Sequence, residues 1–262
     1  MPNLPTIVAI GAGNIASHII PALARLGCDV KQVFSRQLFK ARSLAHQVNA
    51  EGVDSISELV TNADWYILMV SDDGIQDVIV LLPELDNKSI ICHTSGATDS
   101  DVLKNITDNY GSFYPLQSFK KGQELDLGKT PFLLNANNKE TLRTMRVIAR
   151  QISEHIFDVT DEERLRYHLA AVYVNNFTNH MACIADQILA SNDLDSDVLR
   201  PIMESTFDKI LNNNPCEIQT GPAVRNDIQL QRKHLKLIKD YEHWTKIYKT
   251  ISDSISKSNE TK

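Results

Sequence analysis

The side chains in this sequence that could act on a small molecule are few and mostly sit at ends of apolar runs. His168, Asn175, Asn176 and Asn179 fall within one stretch that carries no formal charge, Tyr167 to Ala185. An imidazole can pass a proton near neutral pH, and neighbouring amides can orient a polar substrate. Arg225 follows a Thr220-Gly221-Pro222 turn and could clamp a carboxylate or phosphate, or could simply pair with Asp227. Ser71-Asp72 ends the apolar run 65–70, and His93-Thr94-Ser95-Gly96 ends the run 89–92. At such an edge, His93 and Ser95 could hold a nicotinamide or a substrate polar group. The same residues also read as a turn and cap before Asp99. No His, Cys or acidic cluster has metal-ligand spacing, so no metal is expected.

The strongest pattern is Gly11-Ala12-Gly13-Asn14-Ile15-Ala16 behind the apolar run Thr6 to Ile10. Gly11 permits a sharp turn, Gly13 lets a pyrophosphate approach the main chain, and Ala16 lets the following helix lie on the strand. Uncapped amides and the positive end of the helix dipole then face the phosphates. At the end of the second strand, where an acid would bind the ribose of NAD, the chain has Ser35-Arg36. A hydroxyl and a guanidinium suit a 2′-phosphate, which a carboxylate would repel, so the expected cofactor is NADP(H). Asp29 lies at the wrong end of that strand to serve.

These residues need a scaffold, and the spacing of apolar residues supplies one. Strand-like and helix-like segments alternate up to Asp158, with Trp65 to Val70 the uninterrupted run of a strand covered on both faces. This predicts an α/β fold, a Rossmann-type doubly wound and mostly parallel sheet, over residues 1–159. Thr160-Asp161-Glu162-Glu163 then opens a helix, and residues 160–262 are expected to be all-helical. The uncharged stretch predicts a helix buried nearly all round. One face would carry Leu169, Tyr173 and Phe177, and the other, lining a pocket, His168, Asn175 and Asn179. Pro222 is read in the first turn of a further helix. A last helix is expected over about 231–255, with a seam at Leu237, Tyr241, Trp244, Tyr248, Ile251 and Ile255 that packs in the core or against a second copy. Residues 256–262 read as a polar, frayed tail.

Composition narrows the function. Of 262 residues, 42% are hydrophobic and 23% charged, with a formal net charge of −6. That is an ordinary globular mixture without the basic surface that nucleic acid or anionic lipid requires. No run approaches the ~18 apolar residues of a membrane span. The apolar run near the start reads as a strand and not as a signal peptide. Four dispersed cysteines fit reduced thiols and a cytoplasmic location.

Together, Gly11–Ala16, His93-Thr94-Ser95-Gly96, Pro115-Leu116-Gln117-Ser118-Phe119, Asn175-Asn176-Phe177 and Thr220 to Asp227 resemble a group of Rossmann-like NADP oxidoreductases with a helical C-terminal domain of unknown function. More distantly the chain is similar to pyrroline-5-carboxylate reductase, ketopantoate reductase and the 6-phosphogluconate dehydrogenase superfamily. The resemblance implies an N-terminal NADP domain, a site in the cleft between the domains and a homodimer through the helical part. Two departures matter. The superfamily's hydroxyacid dehydrogenases carry a Lys four residues before an Asn of the first long helix, where this chain has Ala171 and Val172. His168 is the nearest replacement as proton donor. Many members have His before the Pro-Leu pair, where this chain has Tyr114. The expected activity is NADPH-dependent reduction of a C=O or C=N bond in a small polar substrate. The alternative is an NADP(H)-binding sensor or scaffold without turnover.

Overall fold

In the computed structural model, which describes residues 4–260, the chain runs β1 (Thr6–Ile10), α1 (Ala16–Arg25), β2 (Asp29–Phe34), α2 (Leu38–Gln47), β3 (Glu51–Val53), β4 (Trp65–Leu68), α3 (Asp72–Leu81), β5 (Ile90–His93), β6 (Asn109–Pro115), β7 (Phe132–Ala136), α4 (Lys139–Ile152), β8 (Ile156–Asp158) and α5 (Asp161–Ala171). The strands form one eight-stranded sheet in the order β3-β2-β1-β4-β5-β6-β7-β8. Every neighbouring pair is parallel except β6 with β7, which is antiparallel. This is the doubly wound α/β fold that the alternating pattern predicts, and β1 is central because β2 and β4 flank it.

The sheet is sandwiched, and alternate residues of each strand serve the two cores. Ile7 and Ala9 of β1 pack with Ile19, Ile20 and Leu23 of α1 and with Met145 and Ile148 of α4. Val8 and Ile10 face the other way, onto Ile75 and Val78 of α3. In α1 the buried positions Ala16, Ile19, Ile20 and Leu23 follow helical spacing. Gly27, at φ +97°, closes that helix. Ile56–Glu58 and Ser100–Leu103 form only short 3-10 turns. Each is too short to make a helical turn worth its nucleation cost.

By compactness the chain divides into residues 1–175 and 176–262, so α5 stays with the sheet. A capping box opens it: Thr160 Oγ1 accepts from Glu163 N–H at 3.2 Å, and Glu163 accepts from Thr160 N–H at 2.8 Å. A π-helical segment, Val172–Phe177, follows and shifts the phase of every later side chain. The second unit holds α6 (Thr178–Ala190), α7 (Arg200–Asn212), α8 (Ile228–Leu237) and α9 (Glu242–Glu260).

Four expectations for this part need correction. Most of the uncharged stretch is exposed, including Leu169, Tyr173, Val174 and Phe177. Lack of charge limits what a surface can face, but does not supply a covering element within the chain. Pro222 does not start a helix. Asp227 caps α8 by accepting from Leu230 N–H at 3.0 Å, after Asn226 takes a left-handed φ of +53°. The expected last helix is two helices, parted at residues 238–241, so its seam is split and Leu237 is exposed. Finally, α9 continues to Glu260; of the expected frayed tail, 261–262 lie outside the described residues.

The antiparallel β6–β7 pair leaves no room above Gly111. A Cβ there would overlap the Asn135 carbonyl, with the Ala136 Cα at 2.9 Å. Gly111→Ala is expected to lower stability by about 2–3 kcal/mol, read as a drop in the urea midpoint.

Candidate functional site

The carboxyl ends of β1, β2, β4, β5 and β6 meet on one edge, and the candidate residues of the first unit sit there. Gly11 N–H donates to the Phe34 carbonyl at 2.9 Å, and Met69 N–H donates to the Ile10 carbonyl at 2.7 Å. These bonds lock the turn between β2 and β4. Gly11 has φ +122°, and a Cβ would run into the Met69 carbonyl, so only glycine fits. Above Gly13, by contrast, nothing lies within 4 Å of where a Cβ would stand. Asn14 and Ile15 lead to Ala16, which is fully buried under α1 as the close helix–strand contact requires. No side chain caps α1, whereas Asn138, Thr160 and Asp227 cap α4, α5 and α8. Ser17 and His18 N–H are already taken by the Gly13 and Ile15 carbonyls at 3.0 and 3.1 Å, so it is the amides of the turn before Ser17 that are open to an outside acceptor.

A cleft of about 1040 Å³ starts at Gly11, Ala12 and Gly13 and passes Ser35 and Arg36. Ser71, at the head of α3, lines its far wall. Lys40 and the hydroxyls of Ser55 and Ser57 add to the Ser35-Arg36 end. Sequence reading missed these three. Lys40 lies one helical turn beyond Arg36, a spacing that was legible. Ser55 and Ser57 come from a turn whose nearness to β2 only the sheet order reveals. Ile56, Val78 and Leu81 give the cleft an apolar wall. A pyrophosphate at Gly13, a 2′-phosphate at Arg36 and Lys40 and an adenine on the apolar wall match this donor set, so the residues fit NADP(H). Asp29, at the start of β2, is ion-paired with Lys31.

His93 and Ser95 turn inward. His93 is fully buried, its Nδ1 accepting from Ser95 N–H at 3.2 Å, and its Nε2 has no partner. Burial, reinforced by the charge of Arg164, pushes His93 down to about 4. Ser95 Oγ donates to Thr98 Oγ1 at 2.9 Å and accepts from the N–H groups of Ala97 and Thr98. Its hydroxyl is consumed by the turn. What reaches the edge beside them is a pair whose members sequence reading treated separately. Tyr114, at the end of β6, bonds His168 of α5, with Oη 2.9 Å from Nδ1. Both lie against Gly96, where a Cβ would come within 2.7 Å of His168 Nδ1 and 2.9 Å of the Tyr114 ring. Burial drives the Tyr114 hydroxyl up to about 12, so it keeps its proton and can donate. In the tautomer where it does, the histidine Nδ1 accepts and the ring proton is on Nε2.

The helix is held there by Arg164, one turn before His168 and wholly buried. Its guanidinium donates to Ser112 Oγ at 2.6 Å, to the Asp161 carboxylate and to the Thr98 carbonyl. Asp161 also accepts from Ser100 N–H at 3.0 Å and Ser100 Oγ at 2.8 Å. These hydrogen bonds outweigh burial and hold Asp161 well below the usual carboxylate range. Sequence reading saw Asp161 only as a capping-turn acid and passed over Arg164. Asp72 stands at the start of α3, exposed, and its charge acts on both Tyr114 and His93. Asn175 is exposed on the π-helical segment; Asn176, Asn179 and Arg225 are exposed in the second unit. Among the described residues no group of His, Cys, Asp or Glu could hold a metal ion, and no helix is long and apolar enough to cross a membrane.

Compared with known proteins, residues 6–96 match the family described as NADP oxidoreductase, coenzyme F420-dependent. Residues 130–255 match a domain of unknown function, DUF2520. The chain is similar to protein BF3122 of Bacteroides fragilis, provisionally named an NADP oxidoreductase, at 34% identity over 97% of this chain and 98% of that one, with a TM-score of 0.89. Protein TM1727 of Thermotoga maritima shares the fold at 24% identity, covering 97% and 99%, with a TM-score of 0.78. A reductive aminase of Aspergillus terreus, solved with NADPH and ethyl levulinate, shares it at 11% identity, covering 97% and 95%, with a TM-score of 0.73. No curated protein sequence matches the chain.

His93 yields a pH prediction. Its folded value of about 4 lies below the 6.5 of a free imidazole, so the unfolded chain takes up a proton first as pH falls. Stability is full above pH 6.5 and is lost down to pH 4, by about 3 kcal/mol. Urea unfolding across that range should show the slope, and His93→Asn should flatten it.

Proposed function

Because the chain belongs to the family of NADP oxidoreductases whose Rossmann domain precedes the DUF2520 domain, we propose that it reduces the C=N bond of a small, neutral imine with NADPH. The carrying observation is the hydrogen-bonded Tyr114–His168 pair, packed on Gly96 at the same sheet edge as the glycine turn. Gly11–Ala16 would hold the pyrophosphate, Ser35, Arg36 and Lys40 the 2′-phosphate, and the end of the cleft at Ser71, next to Asp72, would face the nicotinamide. Bound NADPH supplies the hydride for the substrate carbon. His168 Nε2 gives the proton that the substrate nitrogen needs, and the Tyr114 hydroxyl fixes the tautomer that makes this proton available. Asn175, Asn176 and Asn179 are candidates to orient the substrate.

Two charges act on Tyr114 with opposite sign, Arg164 more strongly than Asp72. The charge of this edge therefore does not choose between an imine and a keto acid. Arg225, in the second unit, is the candidate anion clamp should an anionic substrate be the one reduced. The structural relatedness to a reductive aminase supports the reading at the level of fold alone.

The test is NADPH oxidation by purified protein with cyclic imines and with 2-keto acids. Imines should be turned over and keto acids at least tenfold less. His168→Ala should cut turnover by about 10²-fold or more, with NADPH binding intact. Faster turnover of keto acids overturns the substrate class. NADPH binding without turnover of either class moves the reading to a sensor.

The second unit supports a partner. Every residue of α7 is exposed in the single chain, including Ile202, Met203, Phe207, Ile210 and Leu211. We propose that a second copy of the chain covers this face, since a row of apolar side chains on one helix is costly to leave in water. Sedimentation should show a dimer at micromolar concentration, and Phe207→Glu with Ile210→Glu should give a folded monomer.

A further inference from the structure

Arg164 is placed for more than holding a helix. Four observations bear on it. It is fully buried one helical turn before His168. Its guanidinium joins three segments of the same edge: Ser112 of β6, two residues before Tyr114; Thr98, in the turn that carries Gly96; and Asp161, at the head of α5. Its Nε–H has no partner, so the charge is incompletely compensated by hydrogen bonds. Its field reaches the tyrosine, whereas that of Asp161 is felt at His93.

We propose that Arg164 is the positioning residue of a two-proton relay, in which it sets the Tyr114–His168 hydrogen bond and balances the phenolate formed when that bond transfers its proton. This deepens the reductase reading above and rests on it. The balance of the step is as follows. The substrate nitrogen takes the proton of His168 Nε2 as its carbon takes the hydride, so the C=N π bond becomes a C–H and an N–H bond. The imidazole Nδ1 takes the Tyr114 hydroxyl proton in the same step, so His168 ends neutral with its proton on Nδ1. Tyr114 is left as the phenolate, to be reprotonated from solvent after product leaves.

The groups that act on this phenolate are Arg164 and His168 from α5 and Asp72 from α3, with His93 of β5 held neutral. Asp72 opposes the phenolate and Arg164 favours it. Removing Arg164 therefore leaves a relay that must place negative charge beside a carboxylate without a counter-charge. It also unpins α5 from the Thr98 turn and β6, which lengthens the bond the relay uses.

The experiment compares full-length wild type, Tyr114→Phe, Arg164→Lys and the double variant Arg164→Gln with Asp161→Asn. The double change removes both charges together, so that no buried carboxylate is left unpaired. Two readouts are taken. The first, independent of activity, is the downfield proton resonance of the Tyr114–His168 bond in ¹⁵N-histidine-labelled protein, identified by its loss in Tyr114→Phe. The second is single-turnover reduction of 1-pyrroline by NADPH in mixtures of light and heavy water. Wild type should show the resonance and a curved proton inventory, as for two protons in flight. The double variant should lose the resonance, slow the step by at least tenfold and give a linear inventory. Arg164→Lys, which keeps charge without the three-way fork, should weaken the resonance and keep the curvature. A double variant that keeps the resonance and reduces 1-pyrroline within twofold of wild type overturns the proposal, as does a linear inventory in wild type. If wild type reduces no imine, the reductase reading fails, and with it the relay. The resonance then reports separately whether Arg164 sets the bond.

Discussion

A buried guanidinium holds the active edge of this molecule together. Arg164 costs solvation to bury, and the cost is offset only because Ser112, Thr98 and Asp161 present acceptors to it at once. Those acceptors come from β6, from the turn after β5 and from α5. The three must therefore hold a fixed relation, and the side chains next to them inherit it. Tyr114 and Gly96 each lie two residues from one of these anchors, and His168 lies four residues from Arg164 itself. The hydrogen bond between Tyr114 and His168 is a consequence of that frame.

At the other end of the edge the constraint is steric. Gly11 is closed in by the Met69 carbonyl and takes a conformation that side chains rarely adopt, while Gly13 opens onto space. The first glycine makes the turn and the second leaves the main chain approachable. The positive end of the α1 dipole and the cations at Arg36 and Lys40 give the cleft a positive side. Near Tyr114 Arg164 and Asp72 act with opposite signs, Arg164 the more strongly.

How much of this the sequence discloses depends on the distance over which each feature is decided. The strand–turn–helix at Gly11–Ala16 is a local matter of sterics, and it was legible, as was the alternation that fixes the sheet class. Ser35-Arg36 was legible because the end of β2 has a fixed place beside the turn. Arg164 was not. It follows three acids in a capping turn and looks like one more solvated charge, and its burial is decided by Ser112 and Thr98, more than fifty residues away. The Tyr114–His168 contact fails for the same reason: each residue was noted, but nothing in the spacing brings them together. The uncharged stretch erred in the other direction. Its composition predicts a covered helix, but composition does not say which chain does the covering. The π-helical segment further disturbs the periodicity on which its two faces were drawn.

The account stands on a phosphorylated adenine nucleotide being chosen by the cationic end of the cleft. Calorimetric titration of the wild-type protein with NADPH and with NADH measures this most directly, with Arg36→Ala as the paired sample. The account predicts that NADPH binds at least tenfold more tightly than NADH, and that the substitution erases most of the difference. Equal affinity for the two, or no uptake of NADPH, would contradict it.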